Sequence, residues 1–127
     1  MQVIQKELYD FTRAKNYFTD YITYAISPMQ LAEMINNKET DFQIVDLRTL
    51  ADYEIAHIPG AIHISEEYIK ENLDRLDKNK LIILYCYNQF CQLSAKRAIE
   101  LIEDGYMAIE LLGGFKTWSK FRFKTEN

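Results

Sequence analysis

The stretch "LIILYCYNQFCQLSAKRA", residues 81–98, decides how the chain is read. Leu81 to Tyr85 is the longest clean apolar run, and the polar "DKNK" precedes it. A short apolar run with such a boundary predicts a buried strand. Cys86 closes that run. A polar loop follows, and "LSAKRAIELIEDG" then repeats apolar residues at helical spacing. The expected order is strand, loop, helix, with Ser94 as the helix cap and Gly105 as its stop. Ala95, Ala98, Ile99, Leu101 and Ile102 form the expected inward face.

Working outward, the same alternation recurs. "FQIVDL" (42–47) reads as a buried strand, "LADYEIAHI" as a brief helix and "IPGAIHI" as a turn with a short strand at 61–64. Ser65 is placed to cap a helix running to about Leu73. "MAIELL" reads as a strand and "GGFKTWSKF" as a turn with a last helix. "SPMQLAEMINN" carries Ser27 as cap, Pro28 at the first helical position and Gln30 to complete a capping box. Residues 2–25 read as one long helix bearing Ile4, Leu8, Phe11, Phe18, Tyr21, Ile22 and Ala25 as a stripe. That helix either packs on the domain or offers a docking or dimerisation face, with a homodimer as one outcome.

Strands alternating with helices predict an α/β fold, a parallel sheet covered on both faces. The expected organisation is an N-terminal helical extension, 1–25, and one domain, 26–127. Apolar residues are 48% of the 127, enough for a core without staples. The net charge of −4 argues against nucleic acid as a partner, which needs a basic face. No segment reaches the ~20 apolar residues of a membrane span, so no membrane partner is expected. The charged N-terminus does not read as a secretory signal. A cytoplasmic location is expected, with Cys86 and Cys91 as reduced thiols.

In open α/β sheets chemistry gathers at the carboxyl ends of strands, where Cys86 stands. A loop entering a helix leaves main-chain N–H groups free, and the helix dipole adds positive charge. Such a setting lowers a thiol pKa from near ~8.5. The residues alone leave two roles open for Cys86: a nucleophile cradled by the amides of Tyr87, Asn88, Gln89, Phe90, Cys91, Gln92 and Leu93, or a small buried hydrophobe.

Four stretches in order bear on that choice: "ISPMQLAEMI", "IVDLRTLADYEIAHIPGAIHI", "LIILYCYNQFCQLSAKRAIELIEDGY" and "LLGGFKTWSKF". They contain Asp46-Leu47-Arg48, His57 to Ala61, the Cys86 loop, and Gly113, Gly114 and Trp118. Together, over roughly residues 26–121, they resemble the rhodanese-like domain, single-domain type. The resemblance implies a parallel sheet of about five strands with helices on both sides. It implies a sulfurtransferase whose cysteine, here Cys86, accepts a sulfane sulfur as a persulfide and hands it to a thiol or to cyanide. The implied partners are a small sulfur donor, persulfide or thiosulfate, or a protein persulfide or thiol. No cofactor and no metal is required, and two cysteines without a nearby His are poor zinc ligands. Asp46 and Arg48 are expected to support the strand ends as a pair rather than touch substrate. His57 is expected as a structural turn residue and His63 as structural too, Pro59 and Gly60 in a turn, and Trp118 in the core.

The loop departs from the family pattern C-x-x-G-x-R-S. Seven residues separate Cys86 from Ser94, with no glycine, Arg or Lys among them. Poor turnover of the thiosulfate dianion is therefore expected. A longer loop resembles that of related phosphatases and arsenate reductases, but Tyr85 and Gln92 occupy their His and Arg positions, and without the Arg phosphoryl chemistry lacks its main anchor. Cys91 completes a C-x4-C. It is either a resolving cysteine, or an inert anchor of the loop. Alternatives to the enzyme are a non-catalytic binding or regulatory module and a Cys86–Cys91 redox sensor or reductase.

Overall fold

The computed structural model describes residues 4–127. Five parallel strands form one sheet in the order β1-β5-β4-β2-β3. They are β1 (Ala25–Ile26), β2 (Phe42–Asp46), β3 (Ile62–His63), β4 (Leu81–Tyr85) and β5 (Met107–Leu111). The helices are α1 (Phe11–Thr23), α2 (Pro28–Asn36), α3 (Leu50–Ile55), α4 (Leu93–Glu103) and α5 (Gly114–Lys120). The expected α/β architecture is thus present, with β4 at the centre.

Strand parity divides the core. Along β4, Ile82 and Leu84 face one side and Ile83 and Tyr85 the other. The first side packs against Leu101 of α4 and Ile69; the second packs against Leu31 of α2 and Trp118 of α5. Ile82 to Tyr85 are therefore buried whichever way they point, as a strand covered on both faces requires, and Leu81 is partly buried. Ser27 caps α2 through a full capping box, its hydroxyl accepting from the Gln30 amide at 3.2 Å and the Gln30 side chain accepting from the Ser27 amide at 2.9 Å.

Several sequence expectations need correction. The helix expected over 2–25 is a 3-10 turn at Lys6–Leu8 and then α1, and its first residues, 2 and 3, lie outside the described residues. Asp10 restarts the helix because its carboxylate accepts from the Arg13 amide at 3.0 Å. Ala25, expected in the helix, instead pairs with Glu110 as the sheet edge, so a boundary drawn after residue 25 falls inside β1. The stripe is not packed on the domain: α1 buries no side chain, and Phe11 and Ile22 remain 82% and 78% exposed.

The segment expected as a helix from Ser65 is a 3-10 stretch, Glu66–Arg75, broken at Asn72, and Ser65 makes no side-chain cap. Ser94 does not cap α4; Gln92 holds that place and Ser94 is buried in the first turn. Finally, Ala95, Ile99 and Ile102 face outward on α4. The inward face is Ser94, Arg97, Ala98 and Leu101, because Arg97 lays its stem along the domain and pairs with Glu66 at 3.5 Å and Glu100 at 3.4 Å.

Candidate active site

Continuing the β4 alternation by one residue sends Cys86 to the α4 side. Its carbonyl accepts from the Phe115 amide, and the Tyr87 carbonyl from the Lys116 amide, each at 2.9 Å. The start of α5 thus clamps the chain as it leaves the sheet. Such close approach requires glycine at 114. Its φ is +62°, and a Cβ there would lie 2.8 Å from both the Cys86 oxygen and the Asn88 nitrogen.

The loop then folds around Asn88. Its side-chain oxygen accepts from the Phe90 amide at 2.9 Å, and its carbonyl from the Cys91 amide at 3.1 Å. This is the local bonding that asparagine offers in turns. It carries Cys91 back to the cavity that Cys86 also lines. Both cysteines are free; Cys86 is 2% exposed and Cys91 partly exposed.

Around them lies a cavity of about 200 Å³, lined by Cys86, Asn88, Gln89, Cys91, Ser94, Glu110, Gly113, Gly114, Leu111, Leu112 and Tyr21. From sequence Tyr21 is expected only in the N-terminal stripe and Glu110 only within a strand, neither of them at the site. The signal for Glu110 was available: it is a carboxylate on the inside of an apolar strand, and burial raises its pKa. No local pattern announces Tyr21, which reaches the cavity from α1. No Lys or Arg lines the cavity.

Of the loop residues expected to cradle sulfur, Asn88, Gln89 and Cys91 line the cavity, whereas Tyr87, Phe90, Gln92 and Leu93 do not. Phe90 is 82% exposed. Tyr87 points to α3, donating to Asp52 Oδ2 at 2.8 Å and accepting from the Thr49 amide at 3.2 Å. The amides of Phe90 and Cys91 are engaged by Asn88 and cannot also serve the sulfur.

The electrostatics reverse the expectation of a lowered thiol pKa. Burial and then the hydrogen bond with Cys91 push the Cys86 thiol up to about 12, with the Asp46 charge adding to the rise. The Tyr87 amide opposes this by bonding the sulfur. One favourable amide is outweighed by loss of water around the anion, because desolvation penalises the charged form.

Asp46 and Arg48 sit across the sheet from Cys86. Arg48 grips Asp46 through Nη2 at 2.8 Å and Nε at 3.1 Å, and donates to the Ala56 carbonyl at 2.6 Å. Tyr85, on that face by parity, donates to Asp46 Oδ2 at 2.6 Å and accepts from the Ile58 amide at 3.2 Å. The guanidinium also lies 4.0 Å from the Phe115 ring centre. The group joins the ends of β2 and β4 to the turn before β3 and does not line the cavity. His57 stacks on Tyr53 at 3.7 Å, and His63 Nε2 lies 2.7 Å from the Arg48 carbonyl oxygen; neither lines it. Trp118 is 1% exposed in the core. Among the described residues no group of three or more His, Cys, Asp or Glu stands placed to hold a metal ion, and no helix is long and apolar enough to cross a membrane.

The family model of the rhodanese-like domain matches residues 27–121. A thiosulfate sulfurtransferase GlpE from Coxiella burnetii is 35% identical over 94 residues, covering 73% of this chain and 84% of its own. Another GlpE, from Glaesserella parasuis, is 28% identical over 102 residues, covering 80% and 91%. A crystal structure of a Bacillus halodurans protein superposes with a TM-score of 0.84 at 28% identity, over 93% of this chain and 87% of that one.

Proposed function

The chain belongs to the rhodanese-like domain family, and from that premise we propose that it is a sulfurtransferase carrying a sulfane sulfur on Cys86. The observation that supports this reading is the placement of Cys86. It ends the central strand, its backbone is clamped by α5, and it opens into the cavity.

The reaction is thiol exchange with one sulfur moved. Cys86 attacks the sulfane sulfur of a donor persulfide, and the donor thiolate leaves and takes the proton that Cys86 gives up. A Cys86 persulfide anion and a free donor thiol result. An acceptor thiolate or cyanide then attacks the outer sulfur, and Cys86 departs as thiolate. With Glu110 in the cavity and no Lys or Arg, the donor that fits is a small persulfide or a protein persulfide rather than a dianion.

Incubation with cysteine persulfide followed by intact mass and cyanolysis tests this. Cys91→Ser, in which Cys86 is the one remaining cysteine, is expected to gain one cyanolysable sulfur that Cys86→Ser lacks. Equal behaviour of the two proteins would leave the second reading, a non-catalytic binding module, which the raised pKa of Cys86 favours.

A further inference from the structure

We infer that Cys91 discharges a persulfide on Cys86 as hydrosulfide by closing a Cys86–Cys91 disulfide, an inference that rests on the carrier role proposed above. Two observations carry it, and both concern the free thiols Cys86 and Cys91. Both line one cavity, and Cys91 is the more exposed of the two. The intervening loop turns back on itself: Gln89, Phe90 and Gln92 are exposed, and the Asn88 turn, whose carbonyl accepts from the Cys91 amide, returns Cys91 to the cavity that Cys86 lines.

The step balances without an added oxidant. The Cys91 thiolate attacks Cys86 Sγ. The bond between Sγ and the outer sulfur breaks, and the outer sulfur leaves with the electron pair as hydrosulfide after taking a proton. The sulfane sulfur is reduced by two electrons, and the two cysteine sulfurs are oxidised to the disulfide. An external thiol reductant restores both thiols by exchange. Holding nucleophile and target together makes this first-order step compete with any acceptor that must diffuse in. The arrangement therefore gives two exits: transfer when an acceptor is abundant, hydrosulfide release when it is not.

The test uses the full chain treated with one equivalent of cysteine persulfide and then freed of small molecules. Hydrosulfide is trapped with bromobimane, and mass and free thiols are read with time. Wild type is expected to release hydrosulfide stoichiometrically while losing both free thiols and two hydrogen masses. Cys91→Ser and Cys91→Ala are expected to keep the sulfur they take up and to lose the hydrosulfide release. Two variants guard against a folding defect in one. A wild type that keeps its added sulfur as long as both variants do overturns this inference alone, as does recovery of the sulfur on Cys91 by peptide mapping. Failure of wild type and the Cys91 variants to take up any sulfur overturns the carrier reading, and this inference with it.

Discussion

Gly114 lies against the backbone of Cys86, its missing Cβ leaving the 2.8 Å that a side chain would occupy beside the Cys86 carbonyl oxygen. The contact is with main chain on the other side, so nothing flexible can move away. Gly114→Ala combines this clash with a positive φ of 62°, which costs a non-glycine residue about 2 kcal/mol even in open space. Chemical denaturation is expected to show at least that loss. Sulfur uptake by the folded fraction is expected to fall as well, because the Phe115 and Lys116 clamps on Cys86 and Tyr87 must open. A variant as stable and as active as wild type would mean that the loop does not depend on α5.

Asp46 is fully buried and neutralises Arg48, itself 5% exposed. Asp46→Ala leaves that guanidinium buried without its partner, and the expected destabilisation is about 3 kcal/mol. The carboxylate also accepts from Tyr85 and from the Arg48 amide, so the loss includes neutral bonds. Because this group lies across the sheet from the cavity, the folded Asp46→Ala protein is expected to keep its rate of sulfur uptake within about threefold, less than about 0.7 kcal/mol. A stopped-flow loss far beyond that at full folding would place the pair in the chemistry.

Some of these relationships were legible from sequence and others were not, for physical reasons. β4 was readable because a strand buried on both faces has to be apolar throughout, and Leu81 to Tyr85 is. The capping box at Ser27 and Gln30 was readable because it is local. β1 was not, since Ala25 and Ile26 are too few to show any period and only pairing with β5 makes them a strand. The face of α4 was misassigned because Arg97, a charged residue, takes an inward place that hydropathy gave to Ile99 and Ile102. Cys86 was located correctly at its strand end, but the sign of its pKa shift depended on burial and on Cys91, neither of which neighbours it in sequence. Tyr21 joins the cavity only through folding, whereas Glu110 carries a local signal, an acid within an apolar strand.

The raised thiol makes Cys86 reactivity strongly pH dependent. An ordinary cysteine is nearly all thiolate by about pH 10. With a pKa near 12, Cys86 is expected to react with iodoacetamide faster by about tenfold per pH unit through the whole range from 7 to 11. Cys91→Ser removes the neighbouring thiol that adds to the rise, and the curve is expected to move to lower pH. The folded protein holds the proton more tightly than the unfolded chain. Its contribution to stability is therefore complete below the unfolded thiol's pKa and is lost as pH rises toward 12. Denaturant midpoints at pH 8 and pH 11 should fall in that order, and Cys86→Ala should flatten part of the difference. A plateau in alkylation before pH 10 would contradict the buried, hydrogen-bonded thiol.

Glu110 bears on donor choice. Among the described residues it is the one carboxylate lining the cavity and no Lys or Arg offsets it there, and burial holds its pKa above that of an ordinary glutamate. When ionised it repels a dianion approaching Cys86 more than it repels a singly charged persulfide. Removing one charge from the wall of a cavity that water still screens changes the barrier for a dianion by about 1 to 2 kcal/mol. Glu110→Gln is therefore expected to raise kcat/KM for thiosulfate about tenfold, while changing the value for cysteine persulfide by a smaller factor. The sign with pH follows. Protonation of Glu110 in acid removes the repulsion, so the advantage of the variant over wild type should shrink as pH falls through the raised pKa and be largest above it. Paired kcat/KM profiles for the two donors over pH 5 to 8 measure this. A thiosulfate advantage that is absent, or that grows toward acid, would show that the Glu110 charge does not reach the sulfur.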